Sequence, residues 1–230
     1  MPTLDPEYGN QDHFYQHFYS KTIGQKASGL RSVLWKYPHR LIERKFGTNS
    51  NKAILEVGAG NGEHLPFVTP NFDSYTALDL RISPELASLA SVKVKSIQGD
   101  VTSLQGHNDS FYDRIVATCL LAHLRDPERA LSEMRRVAKP DGVIQIYLPC
   151  EPGLLLALFR SIVTAPAVRR LGFRGFDLFM AREHRNSLPN LLTQVKYIFS
   201  MDEIQVLRRP FPGLWWFLNL FFLVEIRVKK

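Results

Sequence analysis

Apolar and polar positions alternate along the middle of the chain with the periods of strands and helices. Short runs of apolar and β-branched residues predict five strands, at 53–57, 75–79, 92–97, 114–118 and 143–148. The pairs Ser83-Pro84 and Asp126-Pro127 place a capping side chain before a proline, which predicts two helix starts. The glycine-rich residues 58–62 predict a strand-to-helix turn, and the composition of residues 139–142 predicts a turn before the fifth strand. Strands separated by helices at this spacing predict a parallel sheet with helices on both faces.

The segment before the first strand is aromatic and helix-like. Phe14 with Phe18 and Tyr15 with Tyr19 are spaced by four residues, so each pair shares one face of a helix. We therefore expect an N-terminal helical cap within residues 1–52, followed by a core at residues 53–150.

The segment after the fifth strand predicts two further units. Residues 151–200 are helix-like but interrupted by proline and glycine, which predicts a helical lid or substrate segment. Within residues 201–230, strand-like runs around 203–209 and 218–228 flank a turn and predict a closing antiparallel pair. The whole chain, 1–230, is thus expected to form one domain around a mostly parallel seven-stranded sheet.

Composition indicates a folded protein rather than a disordered, collagen-like or disulfide-stapled one. The chain has 230 residues, of which 45% are apolar and 22% charged. Its longest nearly pure apolar run, at 214–224, has eleven residues, whereas a membrane-spanning helix needs about 20. The N-terminus lacks the basic and apolar pattern of a signal peptide, and Cys119 and Cys150 are too few for a disulfide framework. We therefore expect reduced thiols and a cytoplasmic location.

Charge is uneven along the chain. The net charge is +7, with +4 in residues 1–52, −3 in residues 53–150 and +6 in residues 151–230. Basic flanks are compatible with a phosphate, a nucleic acid or an anionic membrane as partner, and also with plain solubility, which we favour. Nucleic acid is the least favoured partner, because the chain has no recognisable RNA-binding motif.

The predicted lid combines an apolar run with arginines. Residues 154–163 are strongly apolar, and phenylalanines alternate with the arginines that follow, namely Arg160, Arg169, Arg170, Arg174, Arg182 and Arg185. The favoured interpretation is a lid that packs on the sheet and leaves its arginines in solvent. The alternative is peripheral contact with a membrane surface.

A glycine-rich loop follows the first strand and predicts a ligand site. In Gly58-Ala59-Gly60-Asn61-Gly62 the backbone can approach a ligand closely, because glycine has no Cβ. The third glycine comes one residue too early for the dinucleotide fingerprint, and Glu63 stands in that place. Asp79 ends the second strand and Asp100 follows the third, where carboxylates can accept from ribose hydroxyls and an adenine amine. This arrangement predicts a pocket for an adenosine without a pyrophosphate.

Residues 53–148 resemble the class I S-adenosylmethionine-dependent methyltransferases, in particular their type 11 group. The matching stretches are ILEVGAGNG (54–62), YTALDL (75–80), IQGDV (97–101) and residues 112–144. The chain has Pro140-Asp141-Gly142 where the family usually has Pro-Gly-Gly. The resemblance implies a Rossmann-like doubly wound fold and S-adenosylmethionine as cofactor.

The resemblance also implies where the cofactor binds. Glu56 and the glycine loop would hold its methionine part, Asp79 its ribose, and Asp100 with Val101 its adenine, while Thr118 and Cys119 would lie at the mouth of the site. The implied cofactor-binding set is Glu56, Gly58, Ala59, Gly60, Asn61, Gly62, Asp79, Leu80, Asp100, Val101, Thr118 and Cys119. Tyr15 and Tyr19 of the cap are candidates to close over it.

Methyl transfer from a sulfonium needs mainly alignment, and a base only where the acceptor is a hydroxyl or a protonated amine. His123, at the predicted mouth, is the first candidate base, and His184, beside Glu183, is the second. Packing or surface roles are the alternatives for both. His13 and His17 share a helix face, but no third ligand accompanies them, so we expect no metal site.

These observations predict a methyltransferase acting on a small-molecule acceptor, with a saccharide or a lipid-linked molecule as candidates. One alternative is a non-catalytic cofactor-binding module that serves a protein or membrane partner. A nucleotide-dependent oxidoreductase is disfavoured by the early third glycine.

Overall fold

The computed structural model describes residues 8–22, 29–46, 52–69 and 71–229. Its seven strands are β1 (Ala53–Val57), β2 (Ser74–Asp79), β3 (Val94–Gln98), β4 (Tyr112–Thr118), β5 (Ala138–Pro149), β6 (Glu203–Arg209) and β7 (Phe221–Arg227). They form one sheet in the order β3-β2-β1-β4-β5-β7-β6. The first five strands are parallel, and β7 runs antiparallel to both β5 and β6. The predicted mostly parallel sheet with a closing antiparallel pair is confirmed.

Helices lie before, between and after the strands. The α-helices are α1 (Gln11–His17), α2 (Tyr19–Thr22), α3 (Gly29–Phe46), α4 (Pro84–Ser88), α5 (Pro127–Val137), α6 (Leu154–Phe159), α7 (Ala165–Arg170), α8 (Phe176–Glu183) and α9 (Leu188–Ile198). Wider helical turns at Arg160–Thr164 join α6 to α7. Ser83 caps α4 and Asp126 caps α5 through side-chain oxygens that accept backbone N–H groups, which confirms both predicted helix starts.

Two local predictions need correction. The glycine loop was expected to lead into a helix, but only one 3₁₀ turn, Leu65–Phe67, follows it. The turn ends at Val68, whose backbone is extended with a ψ of 131°, so no helix continues from it. The expected turn at 139–142 lies inside β5, where Asp141 has a φ of +59° and the pairing with β4 shifts register.

The main core lies on the face of the sheet covered by α5 and α9. Leu55, Ile115 and Ile144 project from neighbouring strands into this core and are fully buried. On the other face α3 packs on β5 and β7, with Ile42 against Leu223. The sheet is therefore covered on both sides, as a largely parallel sheet requires.

A buried polar network lies between α3 and the sheet. Arg114 of β4 donates through Nη1 to Glu43 at 3.1 Å and through Nε to Gln145 at 2.8 Å. His64 places Nε2 3.0 Å from the same glutamate and Nδ1 3.0 Å from Nδ1 of His39. Because His64 follows the glycine loop by two residues, the network ties that loop to α3.

The cap packs on the lid through aromatic rings. Phe14 of α1 is fully buried and contacts Phe173, Phe176 and Phe179, with ring centroids 5.0, 6.0 and 4.2 Å away. These rings form a separate apolar cluster with Ala165 and Val168 of α7. Within the described part of the chain, no helix has the length and apolar content to cross a bilayer.

Candidate active site

The glycine loop adopts backbone conformations that favour glycine. Gly58, Gly60 and Gly62 have φ values of +68°, +57° and +76°. A Cβ on Gly58 would lie 2.6 Å from Leu120 and one on Gly62 would lie 2.3 Å from Leu89, whereas one on Gly60 would meet nothing within 4 Å. The loop is thus closely packed at both ends and open at its centre. That open centre is where a ligand can approach the backbone.

Two carboxylates lie at the carboxyl ends of the strands beside this opening. Asp79, the last residue of β2, accepts a hydrogen bond from the backbone N–H of Gly60 at 2.8 Å. Asp100 follows β3, is exposed, and accepts from the N–H of Thr102 at 2.8 Å. Leu80 lies between them in sequence and is 60% exposed, which leaves an apolar surface beside the two acids. Polar and apolar groups therefore face solvent together, as a nucleoside requires.

Glu56 lies beneath the loop in β1 and is almost fully buried. The Tyr75 hydroxyl donates to it at 2.7 Å. Burial raises the pKa of this carboxyl to about 8, against the opposing effect of the Tyr75 hydrogen bond. A cationic ligand group above the loop would favour its charged form.

Glu63 is a second buried carboxylate, at the far end of the glycine loop. It accepts a hydrogen bond from the Tyr19 hydroxyl at 2.9 Å, and the Trp35 indole lies beside it. Burial raises its pKa to about 7, and the two side chains oppose that rise. This contact connects the cap to the loop, and the sequence analysis missed it because Glu63 was considered only as a replaced glycine.

Thr118 and Cys119 end β4 at the mouth of the site. Cys119 has a φ of +55°, and its thiol faces the Tyr147 hydroxyl. Burial raises the pKa of the thiol to about 12, so it stays protonated and is a poor nucleophile. Cys119 and Cys150 are both free thiols.

His123 faces a carboxylate of the lid. Its Nδ1 lies 3.3 Å from Oε2 of Glu183, which also accepts a hydrogen bond from the Tyr15 hydroxyl at 2.9 Å. Burial alone would raise the pKa of Glu183, but the His123 ring and the Tyr15 hydroxyl outweigh it and hold that pKa below its usual value. The carboxylate is therefore charged and able to orient the imidazole.

His184 lies beside His123, with ring centroids 4.8 Å apart, and faces a different acid. Its Nδ1 lies 2.8 Å from Oε1 of Glu151, which also pairs with the Arg160 guanidinium. Burial lowers the pKa of His184 to about 3, and the neighbouring His123 ring and Arg160 guanidinium add to this effect. This imidazole is neutral at ordinary pH and a weak base.

The structure brings the two predicted histidines together and assembles around them residues that sequence reasoning did not assign. Glu183, Glu151 and Arg160 come from the lid, and no motif marked them. The tyrosines did carry a signal, since Tyr15 and Tyr19 were singled out by their spacing, and their hydroxyls now join the lid to the glycine loop. His13, also singled out, stacks on Phe173 with ring centroids 6.3 Å apart. Across residues 8–22, 29–46, 52–69 and 71–229, no group of three His, Cys, Asp or Glu is suited to a metal ion.

The residues present fit an adenosyl cofactor without a pyrophosphate. Gly60 leaves open space at the loop, Asp79 and Asp100 offer carboxylates, and Leu80 offers an apolar surface. Buried Glu56 supplies a carboxyl beneath the loop, which suits the cationic methionine part of such a ligand.

Comparison with known proteins agrees with this chemistry. The family model described as "Methyltransferase domain" matches residues 55–146. Malonyl-[acyl-carrier protein] O-methyltransferase of Halalkalibacterium halodurans is 26% identical over 184 residues, which cover 73% of this chain and 67% of that protein. The hybrid PKS-NRPS synthetase gkaA of Penicillium citrinum is 29% identical over 89% of this chain, which spans only 6% of the synthetase.

Solved structures share the fold at low identity. The N-methyltransferase NodS of Bradyrhizobium japonicum, solved with S-adenosyl-L-homocysteine, superimposes with a TM-score of 0.61 at 14% identity. The match covers 98% of this chain and 100% of NodS. The family match favours a methyltransferase over a nucleotide-dependent oxidoreductase as the explanation of the glycine loop. Residues 55–146 match a methyltransferase domain, and the chain is an S-adenosylmethionine-dependent methyltransferase.

Proposed function

We propose that this enzyme methylates a small-molecule acceptor whose reacting atom carries a proton, such as a hydroxyl, with His123 as the general base. The observation that carries the proposal is the contact of His123 with the charged Glu183. Alignment of donor and acceptor suffices for an acceptor that is already an anion. A histidine oriented by a buried carboxylate is useful where a proton must leave the acceptor.

The cofactor residues proposed are those expected from the sequence, namely Glu56, Gly58, Ala59, Gly60, Asn61, Gly62, Asp79, Leu80, Asp100, Val101, Thr118 and Cys119. In this assignment Glu56 and the loop hold the methionine part, Asp79 holds the ribose, and Asp100 with Leu80 and Val101 flanks the adenine. When bound, the cofactor supplies an electrophilic methyl group on a sulfonium. The loop and the carboxylates orient that group toward the carboxyl end of β4, where His123 lies.

The proposed tautomer of His123 follows from the groups beside its ring. Because Nδ1 faces Glu183, that nitrogen carries the proton and Nε2 keeps its lone pair. Nε2 can then accept the acceptor's proton, and the Glu183 carboxylate stabilises the imidazolium that forms. Tyr15 donates to the same carboxylate oxygen and so fixes its position.

His184 is assigned a positioning role rather than that of the base. Its lowered pKa, about 3, makes proton capture unfavourable near neutral pH. Together with Arg160 it holds Glu151 at the carboxyl end of β5, next to the start of α6.

The class of acceptor is proposed from a relative's name and from the lid. The relative from H. halodurans is named as an O-methyltransferase of a malonyl group carried on a protein, which is consistent with an oxygen acceptor. A saccharide or lipid-linked hydroxyl remains the proposed finer class, because the lid next to His123 is apolar and basic.

The test begins with transfer of radiolabelled methyl groups to a panel of phenols, hydroxy acids, saccharides and lipid-linked alcohols. With the best acceptor, His123→Asn is expected to lower kcat by about a hundredfold and to leave the affinity for S-adenosylmethionine unchanged. His17→Asn, at an exposed position of α1, is the matched control. A rate for His123→Asn within threefold (roughly) of the parent enzyme would remove the base role.

A further inference from the structure

The lid and the last hairpin present large apolar side chains to solvent. Leu154, Leu158 and Ile162 are spaced by four along the helix that runs from α6 into its wider turns, and they are 62%, 52% and 64% exposed. No residue of α6 is fully buried. A helix of this composition would ordinarily turn such a stripe toward a core.

A second set of exposed apolar side chains lies on the loop between β6 and β7. Phe211, Leu214 and Trp215 are 47%, 46% and 72% exposed. The loop is firmly held, because buried Asn219 accepts from the Phe211 N–H at 2.8 Å and donates to the Trp215 carbonyl at 3.2 Å. These hydrogen bonds fix the conformation of the loop, and in that conformation the three apolar side chains are exposed to solvent.

The two sets are neighbours. The helix α6 packs against the 3₁₀ turn Trp216–Leu218, and a Cβ on Gly153, at the start of α6, would lie 3.3 Å from the Phe217 carbonyl oxygen. The exposed apolar side chains of these two neighbouring segments are called here the lid face: Leu154, Leu158, Ile162, Phe211, Leu214 and Trp215. Large exposed apolar side chains grouped on neighbouring segments mark an interaction site.

The charge around the lid face indicates what covers it. Residues 152–176 and 204–224 contain no Asp or Glu, and they contain six arginines, namely Arg160, Arg169, Arg170, Arg174, Arg208 and Arg209. Arg160 pairs with Glu151 and Arg169 with Asp177 at 3.2 Å, while the exposed Arg208 lies over the Phe222 ring. Apolar side chains and a tryptophan surrounded by arginines, without acids in the same segments, complement an anionic and amphipathic partner.

We propose that the lid face docks on the surface of an anionic lipid bilayer. The apolar side chains enter the interfacial region, Trp215 lies at the level of the headgroups, and the arginines contact lipid phosphates. The proposal goes beyond the assignment of His123 and does not depend on it. Since α6 begins three residues after Glu151, docking brings the acceptor side of the active site to the membrane surface.

The full chain is tested by co-sedimentation with vesicles of phosphatidylcholine alone or with about a third of phosphatidylglycerol. We expect binding to the anionic vesicles at least about tenfold stronger than to the neutral ones, and weaker binding at high salt. Trp215→Ser and Leu158→Ser should each lower the bound fraction about fivefold, since each removes a side chain that enters the interface.

Met201→Ser is the matched control, because Met201 is 79% exposed and lies before β6, whereas Trp215 lies beyond the other end of that strand. The seven residues of β6 span about 20 Å. All three positions are exposed, so the melting temperatures should agree and report equal folding.

Three results would overturn the proposal. One is an unbound parent protein with both kinds of vesicle, and another is an equal loss of binding in Met201→Ser and Trp215→Ser. The third is a dimer in size-exclusion chromatography without vesicles that Trp215→Ser abolishes, which would assign the lid face to a second copy of this chain. Methyl transfer by a protein that fails to bind vesicles would leave the His123 assignment intact.

Discussion

The two halves of the active site are built in different ways. The donor half, from Gly58 to Val101, comes from three consecutive strands and the loops that follow them. The acceptor half brings His123 together with Tyr15 of the cap and Glu183 of the lid, which are 108 and 60 residues away in sequence. Local sequence therefore contains the donor half, whereas the acceptor half exists only once the flanks have packed on the sheet.

The halves also differ in charge. In the donor half Asp79 and Asp100 lie toward solvent and hold backbone N–H groups. In the acceptor half two histidines, two glutamates and Arg160 lie close together, and the pKa values of Glu183 and His184 are both lowered there. This difference in charge environment suits the donor half to binding a ligand and the acceptor half to transferring a proton.

The largest effect is expected from the network that supports the donor half. Glu43→Gln removes the carboxylate that faces the buried Arg114 guanidinium and so leaves an uncompensated charge. We expect a loss of about 3 to 5 kcal/mol in the free energy of unfolding, measured by denaturant titration. Glu203→Gln, in an exposed pair with Lys229, should change the free energy of unfolding far less. Equal losses in both variants would show that the network does not support the fold.

The second-largest effect is expected in the donor half, on the affinity for the cofactor. Asp79→Ala removes the carboxylate assigned to the ribose, and we expect affinity for S-adenosylmethionine and S-adenosylhomocysteine to fall about a hundredfold in calorimetric titration. Asp73→Ala, an exposed residue just before β2, is the control and should bind as the parent does. Undiminished binding by Asp79→Ala would mean that the ribose is held elsewhere. NAD should bind to none of these proteins.

The pH dependence of the free energy of unfolding should report on the buried histidines that support the donor half. Burial, then the neighbouring His64, lowers the pKa of His39 to about 3, from 6.5. A folded-state pKa below the unfolded value means that the stabilisation is complete above pH 6.5 and is lost as pH falls toward 3. We expect His39 to contribute a drop of about 2 kcal/mol in the free energy of unfolding between pH 7 and pH 5, and His64 and His184, whose pKa values are also lowered, to add to it. His39→Asn should make the drop smaller, whereas exposed His17→Asn should leave it unchanged.

The smallest effect is expected in the acceptor half. Glu183→Gln keeps an oxygen that can accept from Tyr15 but removes the negative charge beside His123. We expect kcat to fall about tenfold, with the acidic limb of the pH–rate profile moved and cofactor affinity unchanged. Asp177→Asn, exposed on the same helix, should leave both quantities as they are. A change in cofactor affinity in Glu183→Gln would contradict the division of the site into a donor half and an acceptor half.

Particular elements show how far the sequence leads. The short apolar run of β1 and the cap-and-proline pairs before α4 and α5 act over a few residues, so the pattern identified them correctly. The helix expected after the glycine loop was wrong, because the 3₁₀ turn that follows the loop ends at the extended backbone of Val68. The stripe of Leu154, Leu158 and Ile162 was favoured as packing on the sheet, yet these side chains are exposed. Periodicity identifies an apolar face but not what lies opposite it.

The sequence by itself determined the strands and the resemblance to methyltransferases, and it predicted the adenosyl site, since each depends on residues close together along the chain. Only the tertiary structure decided that His123 lies beside Glu183 and His184 beside Glu151, because these two acids come from remote segments. It likewise decided that Trp215 and the side chains of the α6 stripe are exposed on neighbouring segments. Burial and the contacts between charges of remote segments depend on how the chain packs, so composition alone does not determine them.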